Sequence, residues 1–186
     1  AAGFDVIIVE TVGVGQSETK VADMTDMFVL LLQPGGGDQL QGIKRGIMEL
    51  ADLVLINKAD DDLVAMAGNS ASEYRHALQL LRPRSSHWSV EVQTCSARDK
   101  QGIDTAWEAM TRHQKALEGS GELATLRAGQ ARTWLWSEVQ DSLIADLREE
   151  YGTGHLISEL ENAVSEGRMP ATTAAAKLLE TYLRRN

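Results

Sequence analysis

The sequence predicts an α/β protein: a doubly wound, mostly parallel sheet followed by an all-helical carboxyl-terminal arm. Three observations predict it. Short continuous apolar runs of strand length recur through the first 118 residues. Helical stripes with apolar residues three and four apart lie between those runs, the alternation that a parallel sheet requires. After Leu117 the strand-like runs stop, and Glu118-Gly119-Ser120-Gly121-Glu122 reads as a break. The expected division is therefore 1–118 for the sheet domain and 119–186 for the arm.

Phe4 to Val9 is the first apolar run, expected as a strand covered on both faces. Met27 to Leu32, Leu53 to Ile56 and Val90 to Val92 are the next three. Leu40, Ile43, Ile47 and Leu50 form one helical stripe, with Asp38 and Gln41 as a capping-box-like start. Ser70 and Glu73 read as the start of the next helix, whose stripe is Tyr74, Leu78 and Leu81 and which Arg82-Pro83 ends. Ile103, Trp107 and Met110 mark a further helix. The arm reads as three helices, roughly 122–150, 156–166 and 170–184, separated at Gly152-Gly154 and at Gly167-Pro170. Met169 falls at the last N-cap, where its side chain cannot accept a hydrogen bond.

Asn57-Lys58-Ala59-Asp60 directly follows the Leu53–Ile56 run. A carboxylate at the end of a buried strand can accept two parallel hydrogen bonds from the ring N–H and exocyclic amine of guanine. Adenine offers no such pair and would leave Asp60 unpaired, at a cost of a few kcal/mol. Asn57 can tie the loop together, and the Lys58 stem can lie along the base. Thr94-Cys95-Ser96-Ala97 follows a later strand-like run, and a Ser96-Ala97 turn there can offer a backbone N–H to the guanine carbonyl.

Residues Glu10-Thr11-Val12-Gly13-Val14-Gly15-Gln16-Ser17-Glu18 follow the first run. Glu10 is placed to reach Mg²⁺ through a water, Gly13 to bring a backbone N–H to a γ-phosphate, and Gln16 to orient water. The same residues also suit an ordinary Gly-rich strand-to-helix turn. Gln33, Gly35, Gly36, Gly37, Asp38, Gln39, Gln41 and Lys44 follow the second run and read as a hinge-capable loop that senses nucleotide state. The alternative reading of them is a loose loop with a solvated lysine. No G-x-x-x-x-G-K-[ST] occurs. With Ala1 first and a core-like run at once, the chain reads as the carboxyl-terminal part of a GTPase, expected to hydrolyse no GTP alone.

The net charge of −9 argues against nucleic-acid binding. One cysteine, Cys95, precludes an internal disulfide and fits a reducing compartment. No run of about 18 apolar residues is present, so no membrane-spanning helix is expected. The four histidines are scattered, with no pair at metal-ligand spacing. Trp134 and Trp136 favour a partner surface on the arm, against the alternative of a helical subdomain folded back on its own sheet domain.

The run Ile8 to Glu18, with Val21-Ala22-Asp23-Met24, Gly37 to Gly46 and Trp134-Leu135-Trp136, resembles the MeaB/ArgK family of G3E-type P-loop GTPases. The resemblance implies a GTP- and Mg²⁺-using chaperone that gates cobalamin loading and protects adenosylcobalamin-dependent methylmalonyl-CoA mutase. By that resemblance Glu10 is the magnesium-shell acid and Gly13 to Glu18 the second switch. Gln33 to Lys44 match a third switch that relays nucleotide state to the mutase, while Asn57, Lys58 and Asp60 match the guanine reader. The arm matches a homodimerisation arm, with Trp134, Trp136, Val139, Leu143 and Leu147 expected at the subunit contact. Lys44 and Gln16 are the expected catalytic participants. The implied compartment is the cytoplasm, or the mitochondrial matrix in a eukaryote. Competing readings are a nickel-enzyme maturation GTPase, and a docking module without catalysis.

Overall fold

Three parallel strands make one sheet in the computed structural model, which describes residues 3–11, 18–35, 45–149 and 153–183. They are β1 (Val29–Leu32), β2 (Leu53–Ile56) and β3 (Glu91–Thr94), in that spatial order. β1 pairs with β2 in the register Val29–Leu53 to Leu32–Ile56, and β2 with β3 from Leu53–Glu91 to Ile56–Thr94. The helices of this region are α1 (Glu18–Ala22), α2 (Arg45–Leu50), α3 (Val64–Gln79) and α4 (Ile103–Ser120). The predicted α/β class with a parallel sheet is what the chain adopts.

β2 is central, and all four of its residues are buried. Successive side chains of a strand point to opposite faces, and each face of β2 meets a different core. Val54 and Ile56 pack with Leu30, Ile47, Met48, Ala51, Ala67, Ala71 and Tyr74, so α2 and α3 cover one face. Leu53 and Leu55 pack with Cys95, Ala106 and Ala109, so α4 covers the other. Both crossovers in the order β1-α2-β2-α3-β3 put their helices on the same side, as right-handed connections require. The chain changes sides only after β3. Because the strands are parallel, their carboxyl ends share one edge, and the loops after Leu32, Ile56 and Thr94 emerge there together.

Several expectations are corrected. Phe4 to Val9 forms no strand; Ile8 is 85% and Phe4 74% exposed. A parallel strand exists only with a neighbour, and no described strand pairs with this run. The second strand begins at Val29 rather than Met27, and the fourth is Glu91–Thr94. α3 starts at Val64, six residues before Ser70, because a 3-10 turn at Asp61–Leu63 leads straight into it without a side-chain cap. Ser70 is buried within the helix and donates to the Gly35 carbonyl at 3.3 Å. α3 ends at Gln79, ahead of Arg82-Pro83. On α4 the buried residues are Ala106, Ala109, His113 and Leu117, while Ile103 and Trp107 are exposed. Small side chains there let the helix approach the sheet closely.

At the amino-terminal end of β2 lies a buried polar knot. Asp52 Oδ2 accepts the Phe28 N–H at 2.8 Å and Arg84 Nη1 at 3.2 Å, and the Asp52 carbonyl accepts the Trp88 indole N–H at 2.8 Å. His113 stacks edge-on against Trp88, ring centroids 5.2 Å apart.

The chain divides into two compact units, Ala1–Gln130 and Ala131–Asn186. The division falls within α5 (Glu122–Glu149), which follows α4 across Gly121 in the left-handed conformation (φ 79°). In the second unit α6 (Thr153–Ser165) and α7 (Ala171–Leu183) pack together, burying Leu160, Ala163 and Ala174. Arg168 and Met169 donate their N–H groups to the Ala163 carbonyl at 2.8 and 3.1 Å, closing α6. Pro170, not Met169, caps α7, its carbonyl accepting the Ala174 N–H at 3.1 Å. No helix among the described residues is long and apolar enough to cross a membrane.

Candidate nucleotide site

Asn57, Asp60, Ser96 and Ala97 meet at the carboxyl edge of the sheet, where parallel α/β folds place their ligands. Two backbone bonds bring the loops together. Cys95 donates its N–H to the Ile56 carbonyl at 2.9 Å, and Ala59 donates to the Cys95 carbonyl at 3.0 Å. The second loop is closed by the pair Ser96–Gln101, each N–H donating to the other's carbonyl at 2.9 and 3.1 Å. Behind it Gly102 has φ 72°, and a Cβ there would lie 2.7 Å from the Thr94 carbonyl oxygen. Only glycine fits without displacing the strand end.

Ser96 is fully buried. Its hydroxyl donates to Asp60 Oδ2 at 2.5 Å and accepts the Asp99 N–H at 3.1 Å. That double engagement fixes the Asp60 carboxylate, whose side chain is 12% exposed. Lys58, between Asn57 and Asp60, is exposed and adopts a left-handed backbone (φ 62°), a conformation uncommon outside glycine and one that recurs at functional turns. Of the Ser96-Ala97 turn expected to offer a backbone N–H to a guanine carbonyl, the Ala97 N–H is donated here to Asn57 Oδ1 at 3.0 Å. Burial pushes the Cys95 thiol up, and it lies in the core beside Leu53 and Leu55 as a small apolar residue.

Arg98 was not singled out by the sequence reading. Its Nη2 lies 3.3 Å from Asp60 Oδ1, its Nη1 2.5 Å from Asp61 Oδ2 and its Nε 2.8 Å from Asp99 Oδ1. The hydrogen bonds that Arg98 donates hold the Asp61 and Asp99 carboxyls below the usual range, and their acceptance by Asp99 and Asp61 raises Arg98 further. The one available signal was position: Arg98-Asp99 directly follows Ser96-Ala97.

The other predicted residues divide as follows. Glu10 is described and exposed. Gln33 is exposed and Gly35 half-buried just after β1. Gly13, Gln16, Gly36, Gly37, Asp38, Gln39, Gln41 and Lys44 lie outside the described residues.

Residues 1–151 match the family model described as "Methylmalonyl Co-A mutase-associated GTPase MeaB". The chain is 46% identical over 184 residues to "Methylmalonic aciduria type A homolog, mitochondrial" of Mus musculus, covering 99% of this chain and 44% of that protein. To "GTPase ArgK" of Escherichia coli (strain K12) it is 48% identical over 147 residues, 79% of this chain and 44% of that one. Among solved structures, "Crystal structure of LAO/AO transport system kinase" superposes with a TM-score of 0.74 at 38% identity, over 98% of this chain and 58% of that one. The chain thus spans about half the length of the curated relatives it matches. By its sequence over most of its length and by its fold, the chain belongs to the MeaB family of methylmalonyl-CoA mutase-associated GTPases.

Proposed function

We propose that this chain carries the guanine-reading and partner-facing part of a GTP-hydrolysing chaperone that serves adenosylcobalamin-dependent methylmalonyl-CoA mutase. The observation that carries the reading is the Asp60 carboxylate, fixed by buried Ser96 at the carboxyl edge of the sheet. Two acceptor oxygens held in one plane suit the two donors on the guanine edge and nothing on adenine. Asn57 holds the two loops of the reader in register, and the Lys58 stem flanks the base.

Glu10 is the residue proposed to face Mg²⁺. An exposed carboxylate suits that ion, which keeps several waters and takes few protein ligands beside phosphate oxygens. Bound Mg²⁺ would neutralise charge on the phosphates. Gly13 and Gln16 are proposed for the γ-phosphate and the attacking water. Gln33, Gly35, Gly36, Gly37, Asp38, Gln39 and Gln41 form the relay to the mutase, with Lys44 as the residue that stimulation needs. Gly35 is tied to α3 through Ser70, so that one end of the relay is anchored on the core.

For the arm, the proposed role is homodimerisation. Trp136, Val139, Leu143 and Leu147 recur along one face of α5, while Trp134 lies about 200° round the helix from Trp136. Trp136 is 61% exposed and Leu143 52%, which fits a face awaiting a second subunit. The proposed compartment is the cytoplasm, or the mitochondrial matrix in a eukaryote.

Asp60→Asn tests the central claim in full-length protein, meaning this chain joined to the phosphate-binding segment that the reading requires. The substitution swaps an acceptor for a donor opposite guanine. GTP affinity should fall at least about tenfold, with preference moving toward xanthine nucleotides. Unchanged GTP affinity would overturn the guanine assignment. Mutase-stimulated hydrolysis, measured with Lys44→Ala beside the parent, tests the partner: stimulation should be lost while basal hydrolysis stays.

A further inference from the structure

We propose that Arg98 competes with guanine for Asp60, holding its cationic fork in an ion pair at the carboxylate where the planar edge of the base would sit and withdrawing when a guanine nucleotide binds. The proposal rests on the guanine reading above. The Ser96 hydroxyl donates to Asp60 Oδ2 at 2.5 Å, which leaves that oxygen a second lone pair, and Arg98 Nη2 stands in an ion pair 3.3 Å from Oδ1. The chemistry of the two claimants is alike. The guanine edge presents a ring N–H and an amine as a planar donor fork, and a guanidinium presents the same kind of fork. A carboxylate shaped to read one accepts the other.

The surroundings allow Arg98 to leave Asp60 without leaving the site. Its Nε and Nη2 donate to Asp99 at 2.8 and 3.0 Å, and its Nη1 donates to Asp61 at 2.5 Å. Those two partners retain the guanidinium when the Asp60 contact is given up. The Arg98 side chain is 55% exposed, so it has solvent to move into, whereas Ser96 is fully buried and stays. Of the two neighbours that engage Asp60, Arg98 is therefore the displaceable one. An exposed ion pair is weak, which sets the size of the effect: Arg98 tunes guanine affinity by about two- to fivefold rather than abolishing it.

The experiment is titration of full-length protein with a fluorescent GDP, comparing the parent with Arg98→Ala and Arg98→Gln at low and high salt. Both variants should bind about two- to fivefold tighter at low salt. The gain should shrink as salt rises, because the competing ion pair is screened in the parent. In an Asp60→Asn background Arg98→Ala should bring no gain. Unchanged or weaker binding by both variants overturns the proposal and makes Arg98 a support for the base or a bystander. A gain that persists in Asp60→Asn also overturns it, since Arg98 would then act elsewhere. If Asp60→Asn itself leaves GDP affinity unchanged, the guanine reading fails first and the proposal falls with it. Loss of GDP in Asp60→Asn with no gain in Arg98→Ala sinks the proposal alone.

Discussion

Asn57 Oδ1 accepts the Ala97 backbone N–H at 3.0 Å, so one side chain joins the loop after β2 to the loop after β3. The same oxygen lies 3.9 Å from the Cys95 sulfur. Asp60 belongs to the first loop and its holder Ser96 to the second. A tie that touches neither Asp60 nor Ser96 therefore adds to the backbone bonds and the Ser96–Asp60 hydrogen bond that join the two loops.

Asn57→Ala should loosen the reader while leaving the core intact. The lost hydrogen bond is worth about 1 kcal/mol, which predicts a drop of about tenfold or less in GDP affinity of the full-length protein. Amide hydrogen exchange at Ala97 should speed up, while that of Leu53–Ile56 should not. Unchanged exchange at Ala97 would show that the tie is not formed in solution.

Gly102 and Gly121 make a matched pair for testing the loop behind Ser96. Both have a left-handed backbone, φ 72° and 79°. A Cβ at Gly102 would meet the Thr94 carbonyl at 2.7 Å and Cys95 Cα at 3.3 Å, whereas one at Gly121 meets nothing within 4 Å. Gly121→Ala should cost only the conformational strain, about 1 kcal/mol. Gly102→Ala should cost about 1–3 kcal/mol more and should also weaken GDP binding, because it pushes on Thr94 and Cys95. Equal losses of thermal stability in the two variants would show that the loop yields without resistance.

How much of this was legible in sequence depended on whether the cause was local. Leu53–Ile56 was plain because a strand buried on both faces must be apolar at every position. The end of α4 at Gly121 and the gap between α6 and α7 at Gly167-Pro170 were plain because glycine and proline act within a turn or two, whereas α6 starts at Thr153 and takes in Gly154, which the sequence placed in the break before it. Phe4 to Val9 was misread because apolarity states what a strand needs, not whether a partner lies beside it. The start of α3 was missed because backbone geometry, not a capping side chain, begins that helix. On α4 the large residues Ile103 and Trp107 outweighed Ala106 and Ala109 in the reading, yet close packing on the sheet selects the small ones. Arg98 went unnoticed because its partner Asp61 is 37 residues away, and charge alone does not say where a side chain is held.

The arm offers a test at the level of assembly. Trp136 and Leu143 share one face of α5 and are both exposed. A shared apolar face on two copies gives a self-complementary contact, with each Å² of apolar area buried worth about 25 cal/mol. Trp136→Asp with Leu143→Asp should yield monomers by light scattering of the full-length protein. Trp134→Asp should matter less, since that residue lies on the far side of the helix. Dimers that survive the double substitution would place the subunit contact elsewhere.

The last test concerns the polar knot at the other end of β2. Burial pushes His113 below the ordinary imidazole value of 6.5, against the opposing pull of Asp52, with Arg84 also lowering it and Asp26 raising it. Burial likewise raises Asp52 above 3.8, although the Phe28 N–H and Arg84 favour its charge. His113 Nε2 lies 3.9 Å from Asp52 Oδ1. A histidine with a depressed pKa stays neutral in the fold while the unfolded chain takes up its proton near 6.5. The stability it contributes is therefore complete above 6.5 and is lost as pH falls through its folded value. Asp52 works in the opposite sense, its contribution being complete below 3.8 and lost as pH rises through its folded value. The imidazole's own contribution therefore falls on the acid side of 6.5, and through it acidification should loosen the packing of α4 on the sheet. An NMR titration should place the His113 midpoint below 6.5, and His113→Gln should flatten the fall in stability on that side. A His113 midpoint at or above 6.5 would mean that Asp52, not burial, sets its charge.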